Sequence, residues 1–390
     1  MPVATEITQG LQGIAMKKTV INLIEPTLQN YTGHCHGYVS SLLKVLLKNN
    51  NHSIAFTTWI GRKAKTIYFP PHGNLRYYFN YRLRKIQQLF LYNRLISNNE
   101  NIFIPTASSF DLNLLTLILR RTKHCHYHGR IFLYFHQFRR AKRKKKLLDK
   151  FINHAPTGII LTSTDRLTAL FKAMGAKNAY TLPCPVYHPT SSNQQKRTST
   201  VLKLLYTGAA RHDKGFPAIV DFIDYLSKSS EKMPVHIQAP KPHNNRYDKH
   251  TATALEKLVN LNYKPLSIGY QSLNQTEYLH LFKNSICLLL YDPQEYSDKF
   301  SGVALEAVYC ASPIITTPGT WISELVNTYQ AGITINEKSP EAILSAVKLI
   351  YKEYDHYQLN ARKAGQLLKP QHTPEHTIQL LATMLKAPLT

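Results

Sequence analysis

Short apolar runs alternate with amphipathic stretches along most of the chain. Residues 19–24, 52–58, 102–106, 130–135 and 157–163 read as buried strands in the first half. Residues 201–207, 235–239, 266–270, 286–291 and 313–317 read the same way in the second. Between them, Tyr38, Val39, Leu42, Leu43, Leu46 and Leu47 recur at helical spacing. Helical spacing is also expected over 75–95, 112–119, 170–174, 216–226, 277–282, 301–310, 343–351 and 374–385. Strands that alternate with helices predict an α/β chain with parallel sheets.

At 390 residues the chain exceeds one small core, and two domains are expected. A strand, a Gly-containing loop and a helix open each half, which makes each half Rossmann-like. The polar stretch 190–200 reads as the linker between domains at 16–189 and 201–372. Residues 1–15 read as a loose extension or an over-called start, because Met16-Lys17-Lys18 runs straight into the first strand. Residues 373–390 form a final helix, expected to pack back on the first domain. No basic segment leading into an apolar one opens the chain, so no signal peptide is expected. No apolar run is long enough to span a bilayer. The five cysteines are scattered and odd in number, which suits a reduced, cytoplasmic chain without disulfides or a zinc site.

Charge changes this picture. The net charge is +25, yet residues 1–200 hold 29 Lys/Arg against 6 Asp/Glu, while 201–390 hold 19 against 17. Solubility alone does not call for one strongly basic half; an anionic membrane surface or a nucleic acid does. Aromatic and basic residues interleave over 75–95, a pattern that fits a membrane interface, stacked bases or a core helix with a solvated basic face. Seven of the eight residues at 139–146 are cationic. Such a run is an ordinary solvated face, a composition-level nucleic-acid patch, or a lipid dock in which each cation is worth about 1 kcal/mol.

Two stretches carry candidate chemistry. In 296–317, Ser301 is a good N-cap, and Gly302 leaves the first N–H groups of the following helix open to an anion. Gly302 and Glu306 share a helix face, and Asp298 precedes the cap. An anion seat flanked by carboxylates suits a ligand with phosphates and hydroxyls, such as a sugar nucleotide. In 208–215, Arg211 and Lys214-Gly215 stand at another helix mouth, where two cations and open N–H groups suit a diphosphate. His136 follows a strand at its carboxyl end, where open α/β sheets place their ligands. His124, His126 and His128 precede that strand and read as a surface loop.

These stretches resemble the signatures of the retaining glycosyltransferases of family 4, the group 1 enzymes. Asp298 and Glu306 have the spacing of that family's two acids, with Ala307 and Pro313-Ile314-Ile315 behind them. The first acid is Asp where the family has Glu, and Ala209 stands where the family often has Arg. The resemblance implies α/β GT-B architecture: two Rossmann-like domains facing a central cleft. It implies that Arg211 and Lys214 neutralise the leaving diphosphate. Asp298 and His136 then contact the reacting sugar. Gly208, Gly215, Tyr270, Ser301, Gly302, Val303 and Glu306 bind the donor, with Glu306 on the ribose. Gly33 and His34 resemble the family's Gly-rich loop on the acceptor side. No metal and no cofactor are expected beyond the nucleotide-sugar co-substrate.

The expected activity is transfer of a sugar from a UDP- or GDP-sugar to a membrane-associated glycan or glycolipid, in lipopolysaccharide or cell-surface polysaccharide synthesis. The expected location is the cytoplasm, peripheral on the inner membrane face, with no nucleic acid bound. The alternatives are a basic polyanion-binding protein and a GT-B enzyme acting on a soluble sugar phosphate.

Overall fold

The computed structural model describes residues 18–25, 34–48, 53–60, 75–121, 127–138, 142–186, 202–239 and 247–387. The proposed extension at 1–15, the linker at 190–200, Gly33, His124 and His126 lie outside them.

The first half contains β1 (Thr19–Glu25), α1 (His34–Lys48), β2 (Ile54–Ile60), α2 (Leu75–Ser97), β3 (Asn101–Ile104) and α3 (Ser109–Arg121). It continues through β4 (Ile131–Phe135), α4 (Lys142–His154), β5 (Gly158–Thr162), α5 (Asp165–Ala173) and β6 (Ala179–Thr181). Six strands form a sheet in the order β2-β1-β3-β4-β5-β6. The pairings between β1 and β2, β1 and β3, and β3 and β4 are parallel. All five residues of β4 are buried, as expected of a parallel strand covered on both faces. The chain reverses its direction of winding between β1 and β3, so loops leaving their carboxyl ends flank a crevice. There Thr106 donates to both carboxylate oxygens of the fully buried Glu25 at 2.8 Å.

The second half contains β7 (Lys203–Thr207), α6 (Phe216–Lys228), β8 (Val235–Gln238), α7 (Lys249–Val259), β9 (Leu266–Gly269), α8 (Gln275–His280) and β10 (Ser285–Leu289). After these come α9 (Pro293–Tyr296), α10 (Gly302–Tyr309), β11 (Ile314–Thr316), α11 (Trp321–Tyr329) and β12 (Gly332–Thr334). The last helices are α12 (Pro340–Lys352), α13 (Tyr354–Leu368) and α14 (Pro374–Lys386). The sheet order is β12-β11-β10-β7-β8-β9, a doubly wound arrangement that reverses between β7 and β10. Phe216, Ile219, Val220, Phe222 and Ile223 of α6 are fully buried among Leu204, Tyr206, Ile286 and Leu288 of the sheet. On the opposite face, Leu205, Cys287 and Leu289 meet Leu305 and Val308 of α10.

Contacts divide the chain into two compact units. One holds the described residues within 1–134, 141–160 and 377–390; the other holds 135–140 and 161–376. The division groups β6, α5 and the segment after β4 with the second half. The C-terminal segment from Thr377 groups with the first unit, where Arg130 donates to the Ala387 carbonyl.

The basic run continues into α4. Leu148 and Phe151 are buried there, while Arg143, Lys145, Lys146 and Lys150 are exposed. No acid stands in its first turn, so the cations crowd the positive end of the helix dipole. Lys145 pairs with Asp149 at 3.2 Å. On α2, Arg82, Ile86, Phe90 and Arg94 are exposed at helical spacing, with Phe90 at 69%. Among the described residues no helix is long and apolar enough to cross a membrane.

Candidate active site

The site of the second unit follows from its sheet order. β7 and β10 are adjacent and leave the sheet in opposite winding directions. The loops at their carboxyl ends are therefore the two walls of a crevice. These loops carry the two motifs that stand apart in the sequence.

The loop after β7 is shaped by two glycines. Gly208 has φ +119 and Gly215 has φ +75, both in the region that favours glycine. Between them, His212–Lys214 form one tight turn, closed by Lys214 N–H and Phe216 N–H on the Arg211 carbonyl at 3.1 and 3.2 Å. The Asp292 N–H donates to the Asp213 carbonyl at 2.9 Å and ties this turn to the loop after β10. Arg211 pairs with Asp213.

Lys214 is drawn inward. Its Nζ lies 5.3 Å from the centre of the Tyr291 ring, and 3.6 Å from where a β-carbon on Gly208 would stand. A Val303 methyl carbon lies 3.9 Å from that same point. Gly208, Lys214 and Val303 thus converge at the mouth of α10. Burial lowers the Lys214 pKa, and the neighbouring Arg211 lowers it further, against Asp213 and Glu306. A cation whose charge burial disfavours gains from an anion brought beside it.

α10 begins as the sequence predicts. Ser301 is its N-cap, 5% exposed, and accepts from Ala304 N–H at 3.3 Å. The Gly302 and Val303 N–H groups stand in its first turn, at the positive end of the dipole. Space is open around Gly302: a β-carbon there would meet nothing within 4 Å. Glu306 lies one turn further on. Burial pushes its carboxyl up to about 7, while a hydrogen bond from Tyr278 and the charge of Lys214 pull the other way. Tyr278 of α8 is itself raised, by burial first and then by Glu306.

Asp298 sits in the segment before the cap. It lines a cavity of about 590 Å³ together with Gln137, Phe138, Arg166, Leu170, Gln294, Glu295, Ser297 and Lys299. His136 stands directly after β4, as expected, and leads into the lining residues Gln137 and Phe138. Phe300 packs between Trp321 and His372, at 4.9 and 5.4 Å between ring centres.

The structure therefore brings Gly208, Arg211, Lys214, Gly215, Ser301, Gly302, Val303 and Glu306 to one end of one sheet. Tyr270 follows β9 at the same sheet end, two strands away from β7, and is 38% exposed. On the other half, His34 is the first residue of α1. Among the described residues no three His, Cys, Asp or Glu side chains cluster as metal ligands.

Sequence reading missed Tyr278, Tyr291 and Tyr296. Tyr291 and Tyr296 pack at 4.6 Å between ring centres beneath Lys214. It also missed Thr164 and Arg166, which reach the Asp298 loop from α5. Only Tyr296 had a nearby signal, since it opens the signature stretch.

Residues 189–366 match the family model described as glycosyl transferases group 1. No curated protein sequence matches the chain. Among solved structures, a glycosyltransferase from Rickettsia africae is similar with a TM-score of 0.67 at 12% identity, over 95% of this chain and 100% of that one. OtsA gives 0.63 at 12%, over 95% and 100%. Anabaena HepE in complex with UDP gives 0.63 at 11%, over 94% and 99%. These likenesses show the fold: α/β, of the GT-B kind, with two doubly wound sheets. The resemblance to group 1 glycosyltransferases holds over the stretch that carries both donor-side motifs.

Proposed function

We propose that this GT-B chain, whose residues 189–366 match the group 1 glycosyltransferase model, transfers a sugar from a nucleotide-diphosphate sugar to an acceptor hydroxyl. One observation carries the reading: Arg211 and Lys214 converge with the mouth of α10 and Glu306 at the carboxyl ends of β7 and β10. A diphosphate needs cations and open N–H groups, and a ribose needs an acceptor for its hydroxyls. All stand at one sheet end.

In this reading the bond from the anomeric carbon to the β-phosphate oxygen breaks, and the acceptor hydroxyl oxygen takes its place with retained configuration, its proton passing to the leaving diphosphate oxygen. Negative charge grows on the diphosphate, where Arg211, Lys214 and the Gly302 and Val303 N–H groups are already oriented. Glu306 accepts from the ribose hydroxyls. Tyr270 borders the base, and Asp298 and His136 orient the sugar. The chemistry asks for no metal in this scheme, because the charge on the diphosphate is met by side chains and N–H groups.

The acceptor is proposed to be a membrane-associated glycan or glycolipid, with the protein cytoplasmic and peripheral on the membrane. The support is the charge split, the exposed cations of α4, and the exposed strip of Arg82, Ile86, Phe90 and Arg94 on α2. A soluble sugar-phosphate acceptor is the second reading. OtsA and a sucrose-phosphate synthase from Thermosynechococcus elongatus share the fold, the latter with a TM-score of 0.63 at 13% identity.

Thermal stabilisation by UDP, GDP and their sugars tests the donor reading. One nucleotide should raise the melting temperature of the wild type and leave Arg211→Ala/Lys214→Ala unmoved. A well-folded wild type that no nucleotide stabilises sinks the reading. Sedimentation with vesicles rich in anionic lipid separates the two acceptors, since a soluble sugar phosphate requires no membrane binding.

A further inference from the structure

The segment that carries Asp298 is anchored from outside its own sheet. We propose that Thr164 and Arg166, at the start of α5, are positioning residues that fix the Ser297–Asp298 backbone and so aim the Asp298 carboxylate. The inference rests on the donor reading above and names residues that neither signature contains.

The Thr164 hydroxyl does two things at once. It caps α5 by accepting from Leu167 N–H at 3.2 Å, and it donates to the Asp298 carbonyl at 2.8 Å. Thr164 is 2% exposed, so both bonds form away from bulk water. Two residues on, Arg166 spreads its fork across two loops. Nη1 donates to the carbonyls of Ser297 at 3.2 Å and Gly319 at 2.9 Å, while Nε pairs with Glu324. Ser297 follows β10 and Gly319 follows β11. One guanidinium thus holds together the loops that leave two neighbouring strands.

Two consecutive carbonyls, of Ser297 and Asp298, are held by separate donors on one rigid helix turn. That fixes the two peptide planes on either side of the Asp298 Cα, and with them the direction in which the Asp298 side chain leaves the backbone. Arg166 also lines the cavity beside Asp298. Its Nε and Nη1 are committed to protein partners, which makes it a strut for this wall. Lysine at this position keeps the charge and loses the fork.

The test is calorimetric binding of UDP and UDP-glucose, and of GDP and GDP-mannose, to the full chain. It compares the wild type with Arg166→Ala, Arg166→Lys, Thr164→Val and Thr164→Ser. A misaimed carboxylate weakens the hold on the sugar and spares the diphosphate. The expected result is a ratio of sugar-nucleotide to diphosphate Kd that rises about tenfold in Arg166→Ala, Arg166→Lys and Thr164→Val. Thr164→Ser keeps the hydroxyl and returns the wild-type ratio. An unchanged ratio in Arg166→Ala and Thr164→Val overturns the inference. So does a parallel loss for both ligands, which marks a general loss of structure. A wild type that binds none of the four ligands overturns the donor reading itself, whereas intact wild-type binding with an unchanged ratio overturns only the positioning role.

Discussion

A β-carbon on Gly215 would stand 2.2 Å from the carbonyl oxygen of Leu290. The loop after β7 is thereby pressed against the loop after β10 at the point where Lys214 turns inward. Gly215 also holds φ +75, which a side chain disfavours. Gly215→Ala meets both penalties, and the atom in its way is backbone. The expected loss of stability is about 2–4 kcal/mol, read by urea unfolding. Nucleotide affinity should fall as well, because relieving the contact moves Lys214.

Lys214 should behave in the opposite way. Burial depresses its pKa, so its charge is held at a cost to the folded chain. Lys214→Met keeps the length of the side chain and removes that cost. The melting temperature of the ligand-free protein should hold or rise. Turnover should drop by about 100-fold or more, since a cation facing the leaving diphosphate is lost. A melting temperature several degrees below wild type would contradict the picture of a cation held at a cost to the folded chain.

Much of this site is legible in the sequence, and the reason is local. Ser301 and Gly302 are adjacent, and Lys214 and Gly215 are adjacent, so a cap or a turn announces itself within a few residues. The sheet strands are legible because parallel strands are apolar throughout, as in 131–135. The three-residue edge strands β6 and β12 are too short to leave a pattern. α4 hides beneath its own cations, because its buried face consists of only a few residues such as Leu148 and Phe151. Tyr278 and Arg166 leave no signal near the residues they serve. Each reaches Glu306 or Ser297 from a separate helix, and only the fold brings them together.

Glu306 makes stability and binding depend on pH in opposite senses. Its carboxyl is raised to about 7 from 4.5, chiefly by burial. A carboxyl raised on folding stabilises the chain fully below the unfolded value, and that stability is lost as pH rises through the folded value. Glu306→Gln should therefore match the wild type near pH 5 and melt higher near pH 8. Nucleotide binding should run the other way in the wild type, strengthening from pH 6 to 8 as the carboxylate becomes available to the ribose hydroxyls. Calorimetry across that range, in the wild type and the variant, reads both effects.

His372 sets a second, acidic limit. Its Nδ1 lies 2.8 Å from the Cys184 carbonyl, its ring stacks on Phe300, and it is 5% exposed. Burial lowers its pKa to about 4 from 6.5, with the Cys184 hydrogen bond opposing and His376 assisting. A histidine held neutral on folding stabilises the chain above the unfolded value. As pH falls below 6.5 the unfolded chain takes up a proton that the folded chain refuses, and stability declines until about pH 4. Between those two values the loss is about 3 kcal/mol. Phe300 lies between Asp298 and Ser301, so the segment that His372 supports is the one that bears the sugar-orienting acid and the α10 cap. His372→Asn keeps a donor for the Cys184 carbonyl and cannot titrate. Its stability should be lower than wild type at pH 7, and the gap between the two should narrow between pH 6.5 and 4, where the wild type alone loses the His372 contribution. Equal slopes for the two proteins over that interval would show that His372 is protonated in the folded chain after all.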